Sequence, residues 1–450
     1  MSDLETKSGE GPSRKILIAY AAPALPAATL GLPLLVYLPA YYAGATGMSL
    51  AAIGTVLLIA RLWDIGVDPA IGFLSDRTRT RWGRRKPWLA AALPVVLVAS
   101  YALFFPPEDA GFAYLLGGLL AVYLGWSMLQ IPHLAWGAEL CAEYHGRNRV
   151  AAWRESLTVI GVVLASALPS ILQSGDGRPP EEAALQALFW INLVLLPLAG
   201  IALLALVPEP PAAVPATKTG WREGWALLRA NAPFRRLLIA YSINGVANAL
   251  PPTLFLLFAQ DVLGAGGQAG LFLVLYFVCG LASVPFWTAQ AKRVGKHRAW
   301  CRAMILNCLF FLPVPLLGAG DGAWFAAICV ATGLCYGADL ALPVSMQADA
   351  VDVDTAQGGA ARAGLYFALW SVATKAALAI GPALAFPVLE AAGYRRNSGT
   401  GDGLFVLAAL YAFVPIAFKA ASVAVIWNFP LDAAAHAKLR AAIDLRRPGI

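Results

Sequence analysis

Residues 61–88 read RLWDIGVDPAIGFLSDRTRTRWGRRKPW. Arg61, Asp64 and Asp68 stand at i, i+3 and i+7, so a helix puts all three on one face. Their neighbours are apolar, as in a membrane span. A carboxylate there is costly unless it is paired, protonated or bound to a cation. Two carboxylates a turn apart repel each other, and a cation between them relieves the repulsion. Oxygen ligands at that spacing suit a hard monovalent ion or a shared proton. Arg61 offsets one of the two charges. The plainer alternative is a static Arg61–Asp64 salt bridge with Asp68 near the interface.

Such a row needs a bilayer-spanning helix to hold it. The chain has 450 residues, 59% of them hydrophobic and 13% charged, against about 25% charged in an ordinary soluble domain. Mean hydropathy is +0.66. Apolar runs of about 20 residues recur throughout, the pattern of membrane helices. Twelve spans are expected near 16–42, 49–73, 88–105, 112–140, 153–173, 186–207, 236–259, 268–289, 300–318, 323–346, 363–389 and 403–429. The expected class is an all-α polytopic membrane protein, with no removable signal peptide, because residues 1–15 are polar and the first apolar run is too long for one.

The proline-rich, then basic, stretch 208–235 reads as a linker. It divides the chain into a tail (1–15), a six-helix half (16–207), a second half (236–429) and a second tail (430–450). With an inside N-terminus, almost every Lys and Arg falls on the cytoplasmic side. The exceptions are Arg178, Arg395 and Arg396 in opposite loops and Arg61, Lys375 and Lys419 within spans. Both termini are therefore expected in the cytoplasm. The halves also repeat: GRRKPW at 83–88 returns as GKHRAW at 295–300, an offset of 212 residues, and Gly125 and Gly337 share it. Tandem halves in one orientation are the trace of parallel repeats, an architecture of alternating-access carriers.

The positive excess of +7 is topological and not a nucleic-acid signal. The six cysteines form no CxxC pair and read as small buried hydrophobes. No GxxxxGK[ST] loop, HExxH pair or GxSxG elbow is present, so no enzyme activity or cofactor is expected.

The block Arg61-Leu-Trp-Asp64, Asp68-Pro69, Gly72, Ser75-Asp76-Arg77-Thr78-Arg79, Trp82-Gly83-Arg84, Lys86-Pro87-Trp88 resembles the second span and following loop of the glycoside–pentoside–hexuronide:cation symporters. These are melibiose-carrier-like proteins of the major facilitator superfamily. Gln130-Ile131-Pro132 is similar to the fourth-span motif, Ala348-Asp349-Ala350-Val351-Asp352 to the tenth-span exit, and Lys375 stands at the eleventh-span lysine. The resemblance implies a major facilitator fold. It also implies cation-site carboxylates at Asp64 and Asp68, a hydroxyl ligand at Ser127, and charge coupling through Arg61 and Lys375. The coupling ion would be Na+ or H+, and the solute a sugar or glycoside-like molecule moved by alternating access.

Two departures bear on ion and solute. Val67 stands where sodium-coupled members carry an amide. The first span has no acid or amide, with Ala28 at the matching position, and Gln130 replaces a fourth-span acid. Gln130, Tyr20, Tyr41, Trp126, Trp136 and Asp339 are then the candidate solute-binding groups. An apolar first span also suits an amphipathic solute, and some relatives carry lysophospholipids with sodium. A membrane sensor or scramblase on the same fold is the non-transporter alternative. Asp76, Arg77, Arg84 and Arg85 are expected to form a cytoplasmic gate. His133 reads as a satisfied core group, and Lys419 as a residue snorkelling to the headgroups. The expected setting is a bacterial inner membrane, with a single copy of the chain working alone.

Overall fold

A computed structural model describes residues 13–140, 144–171, 179–209, 229–356, 363–394 and 402–431. Most of both tails, and residues 210–228 of the expected linker, lie outside these. Among the described residues, twelve helices are long and apolar enough to cross a membrane. In order they are Arg14–Ala45, Leu50–Arg77, Lys86–Phe104, Phe112–Gly137, Arg149–Leu168 and Pro180–Leu206, then Ala232–Val262, Gly266–Val294, Lys296–Leu316, Gly322–Asp354, Tyr366–Ala391 and Gly403–Ile426. They are called here the first to twelfth spans.

Local chemistry sets the ends. The Ser49 hydroxyl accepts from the Ala52 amide to start the second span, and the Asn231 side chain accepts from the Phe234 amide to start the seventh. Both satisfy amides that a helix start leaves without partners. Asn231 also donates to the Ala350 carbonyl at 2.8 Å, tying the seventh span to the tenth. The tenth span runs well past the expected end at 346. The Asp349 carboxylate that looked like an exit is held by Lys296 Nζ at 2.5 Å, so the helix continues with its acid paired.

The chain divides into two compact units, Met1–Val214 and Pro215–Ile450. In the first, the first span packs on the fifth and sixth, the fourth on the second and third, and the third on the sixth. In the second unit, the seventh span packs on the eleventh and twelfth, the tenth on the eighth and ninth, and the ninth on the twelfth. Adding six to each number turns one scheme into the other. The repeated motifs thus correspond to a repeated packing plan.

Gly337 shows how close the packing comes. A Cβ there would fall on the Ser283 hydroxyl and the Gly280 carbonyl of the eighth span, and within 3.1 Å of the Val284 nitrogen. Because two of these three obstacles are backbone atoms, they cannot swing aside. Gly337→Val should therefore separate the eighth and tenth spans and cost about 1–3 kcal/mol of stability. Thermal unfolding in detergent should show the loss as a lower Tm. An unchanged Tm would mean that the contact is not tight.

Candidate ion and solute sites

The second-span row converges on the fourth span. Asp64 is buried at 2% exposure and Asp68 is half-buried. The Ser127 hydroxyl lies between them, donating to Asp68 Oδ1 at 2.6 Å, with Asp64 Oδ1 at 3.4 Å. Arg61 Nη1 reaches Asp64 Oδ2 at 3.5 Å. Its guanidinium lies over the Tyr123 ring, 4.6 Å from the centroid, within reach of a cation–π contact. Tyr123 and Ser127 are one turn apart on the fourth span, so one helix face meets both ends of the row. Sequence reasoning named Ser127 but missed Tyr123, although the four-residue spacing was there to be read.

Three oxygens from two spans therefore share one neighbourhood. A hydroxyl has one proton and two lone pairs. It can bridge two carboxylates, or turn a lone pair toward a cation that replaces its proton between them. Pro69 follows Asp68 directly and has no N–H, which leaves the Ile65 carbonyl without its helical donor. Arg61, Asp64 and Asp68 together carry one net negative formal charge, suited to one monovalent ion or one proton.

The matching face of the second unit holds no such row. By the repeat offset, Tyr276 and Gly280 stand where Asp64 and Asp68 stand. The Tyr276 ring packs against Tyr336 at 5.1 Å between centroids, and Gly280 admits the close approach of Gly337. Asp339 is the counterpart of Ser127 and turns to other helices. It accepts from Asn244 at 3.1 Å, Asn248 at 3.1 Å and Trp300 at 2.5 Å, and from Lys419 Nζ at 3.3 Å. The expectation that Lys419 snorkels to the headgroups is thereby corrected. Its side chain is 5% exposed and held inside the helix bundle of its own unit.

The remaining solute candidates divide. Trp126 and Gln130 are half-buried on the fourth span. The side chain of Gln130 makes no hydrogen bond among the described residues. A Cβ on Gly31 would stand 3.1 Å from Trp126, so the indole rests on the first span at a glycine. Tyr41 is buried edge-on to Tyr42. Tyr20 and His133 are locked together: the Tyr20 hydroxyl donates to the His133 carbonyl at 3.1 Å, and His133 Nε2 lies 2.7 Å from the Tyr20 carbonyl. His133 is thus the satisfied core group expected. Trp136 is fully buried and donates to the Pro208 carbonyl at 3.0 Å. Tyr20 and Trp136 hold helices together. Lys375 is half-buried on the eleventh span, beside Thr374, which bonds Tyr241 at 3.1 Å.

A family model described as MFS/sugar transport protein matches residues 19–433. The chain belongs to that family. Among similar proteins, a glucuronide carrier protein homolog of Escherichia coli K12 is 25% identical, over 91% of each chain. A sodium-dependent lysophosphatidylcholine symporter 1-A of Danio rerio is 24% identical, over 84% of this chain and 78% of its own. The crystal structure of the nucleoside transporter NupG matches with a TM-score of 0.65 at 14% identity, over 93% of this chain and 98% of that one. The major facilitator fold is thereby shown, as is a transporter rather than an enzyme family.

Of the four expected gate residues, Arg84 and Arg85 form the basic part of a cluster within the first unit. Glu139, which sequence reasoning passed over, is its centre. It accepts two bonds from Arg84, at 2.8 and 2.9 Å, and two from Arg85, at 2.6 and 3.2 Å. Glu209 Oε1 accepts the backbone amides of Arg84 and Arg85 at 2.6 and 2.7 Å. Glu209 lies against Gly83, which has φ 110° and no room for a Cβ. Asp76, expected in the gate as a partner of the basic loop, reaches Arg85 only at 3.4 Å and is 62% exposed. Arg77 is exposed over the Phe73 ring. Charge-assisted bidentate bonds to a buried guanidinium far outweigh an exposed pair. Glu139→Gln should therefore cost about 3–5 kcal/mol by leaving the buried Arg85 with only the long, exposed Asp76 contact. Asp76→Asn should change stability by about 1 kcal/mol at most. Thermal unfolding of both variants ranks the two partners, and equal losses would contradict this order.

Proposed function

We propose that the protein is a secondary active transporter that couples symport of a sugar or glycoside-like solute to entry of a monovalent cation. The observation that carries this is the convergence of Asp64, Asp68 and Ser127 oxygens on one neighbourhood inside the membrane. Two carboxylates a turn apart inside a span repel each other, and a cation between them would relieve that repulsion. As a cation site the pair has a use.

In this reading the cation enters between the two carboxylates and displaces the Ser127 proton from their shared space. The site is then neutral, and neutrality favours solute binding and the change of access. Lys375 is the charge-coupling lysine, which restores the empty site's balance on the return step. Gln130 and Trp126, half-buried on the span that carries Ser127, are the groups nearest in sequence to the ion site that can meet a solute. A sugar needs such fixed polar partners because its hydroxyls lose water on binding. The membrane would be a bacterial inner membrane with both termini inside. The expected tails and linker would flank two six-helix halves.

A second reading rests on one specific observation: the first span offers neither acid nor amide to a solute. A lysophospholipid or similar amphipathic molecule would fit such a wall. The similarity to a lysophosphatidylcholine symporter points the same way.

Thermal stabilisation of the purified protein separates these readings, because a bound ligand raises Tm by mass action. Sugars and lysophospholipids, each tested with sodium, with choline and at two pH values, should give one responsive class and one responsive ion. A lipid response with silent sugars would replace the first reading by the second. In vesicles, Asp64→Asn with Asp68→Asn should abolish uptake against a gradient, and Lys375→Ala should uncouple uptake from the ion. If the paired aspartate variant still concentrated solute, the coupling role would fall.

A further inference from the structure

We propose that Asn244, Asn248 and Asp339 form a monovalent-cation site in the C-terminal unit, filled by the protein's own Lys419 ammonium. Asn244 and Asn248 are one turn apart on the seventh span, so their amides share a face. Asp339 comes from the tenth span, Trp300 from the ninth and Lys419 from the twelfth.

Lys419 Nζ lies 2.9 Å from Asn244 Oδ1, 2.8 Å from Asn248 Oδ1 and 3.3 Å from Asp339 Oδ2. An ammonium has three protons, and here each has an oxygen. The amide orientations are fixed by the network. Asn244 Nδ2 donates to one Asp339 oxygen and Asn248 Nδ2 to the other, so both amide oxygens must face the ammonium. Trp300 Nε1 adds a further bond to Asp339 at 2.5 Å. The aspartate and lysine side chains are 10% and 5% exposed, and Asn244 is 1% exposed.

A simple ion pair would need only the carboxylate. Two neutral amide oxygens aimed at the same point, with a carboxylate oxygen beside them, are the ligand set of a hard cation. A lysine ammonium and an alkali cation carry the same charge and both accept oxygen neighbours. Lys419 thus acts as a tethered ion that cannot leave with the solute. This inference stands apart from the transport reading, since none of its groups belongs to the Asp64–Asp68 site.

The test uses full-length Lys419→Met, which keeps the chain length and removes the charge. Carrying it in an Asp64→Asn, Asp68→Asn background keeps the N-terminal acids from responding. Thermal unfolding is read in choline, sodium and potassium chloride at equal ionic strength. The expected result is a low Tm in choline that rises saturably, by about 5 °C or more, with sodium or potassium. The background with Lys419 intact should not respond, and adding Asp339→Asn to the Met variant should remove the response. Identical Tm values in the three salts would overturn the proposal. So would a Met variant that cannot be obtained folded in any of them, because a free cation should fill the site. Lys419→Arg gives a second check: a guanidinium keeps the charge but is too broad for a three-oxygen site. Arg should lower Tm without rescue by either salt, and full stability with Arg would mean an ordinary charge pair.

Discussion

A charge placed inside a bilayer must find its partner within the helix bundle, because no water waits there to receive it. That constraint governs the polar interior of this protein. Arg61 shares its charge between Asp64 and the face of Tyr123. Asp339 takes four donors from four side chains, and Lys419 gives each of its protons to an oxygen. At the ends of the fourth and sixth spans, Glu139 and Glu209 hold two consecutive arginines by side chain and backbone. Each of these groups fixes a contact between helices, since a charged side chain cannot slide away from its partner without exposing both.

The two units meet the constraint differently on the same plan. The pairing of the second and fourth spans returns as that of the eighth and tenth, yet one interface holds acids and the other glycines and tyrosines. The carboxylate and hydroxyl oxygens of the first interface are the ligand types of an ion site. Backbone contact at Gly280 and Gly337 leaves no space for one in the second. The difference lies in the side chains, because the helix scheme is shared.

Much of this was legible in the sequence, and the limits have a physical cause. The twelve spans follow from hydropathy, and the acid row follows from i, i+3, i+7 spacing, because both are local. Ser127 was named because the family resemblance supplied the partner helix. The Asp339–Lys419 cluster was not legible, since its members sit at 244, 248, 300, 339 and 419 and only folding brings them together. Lys419 alone in an apolar run reads as a snorkelling side chain, for the sequence does not display the amide oxygens that keep it inside. Glu139 was missed for a related reason. At the end of a span an acid looks solvated, and nothing local announces two arginines more than fifty residues away. Asp76 was named as a partner of these arginines, and its exposure makes it the weaker one.

A coupled carrier needs one charge that is free to change and others that are not. An ion can shift a conformational equilibrium only by its difference in affinity between the states. If several buried charges titrated or exchanged together, that difference would be spread over sites unrelated to the solute. The satisfied bonds around Asp339 and around Arg84 and Arg85 hold those charges fixed. At the acid pair, Asp68 is half-buried, and the Ser127 hydroxyl that bridges it to Asp64 can rotate. In a symporter that couples through Asp64 and Asp68, ion dependence falls on the second and fourth spans, while the charges around Asp339 and around Arg84 and Arg85 stay bound within the protein.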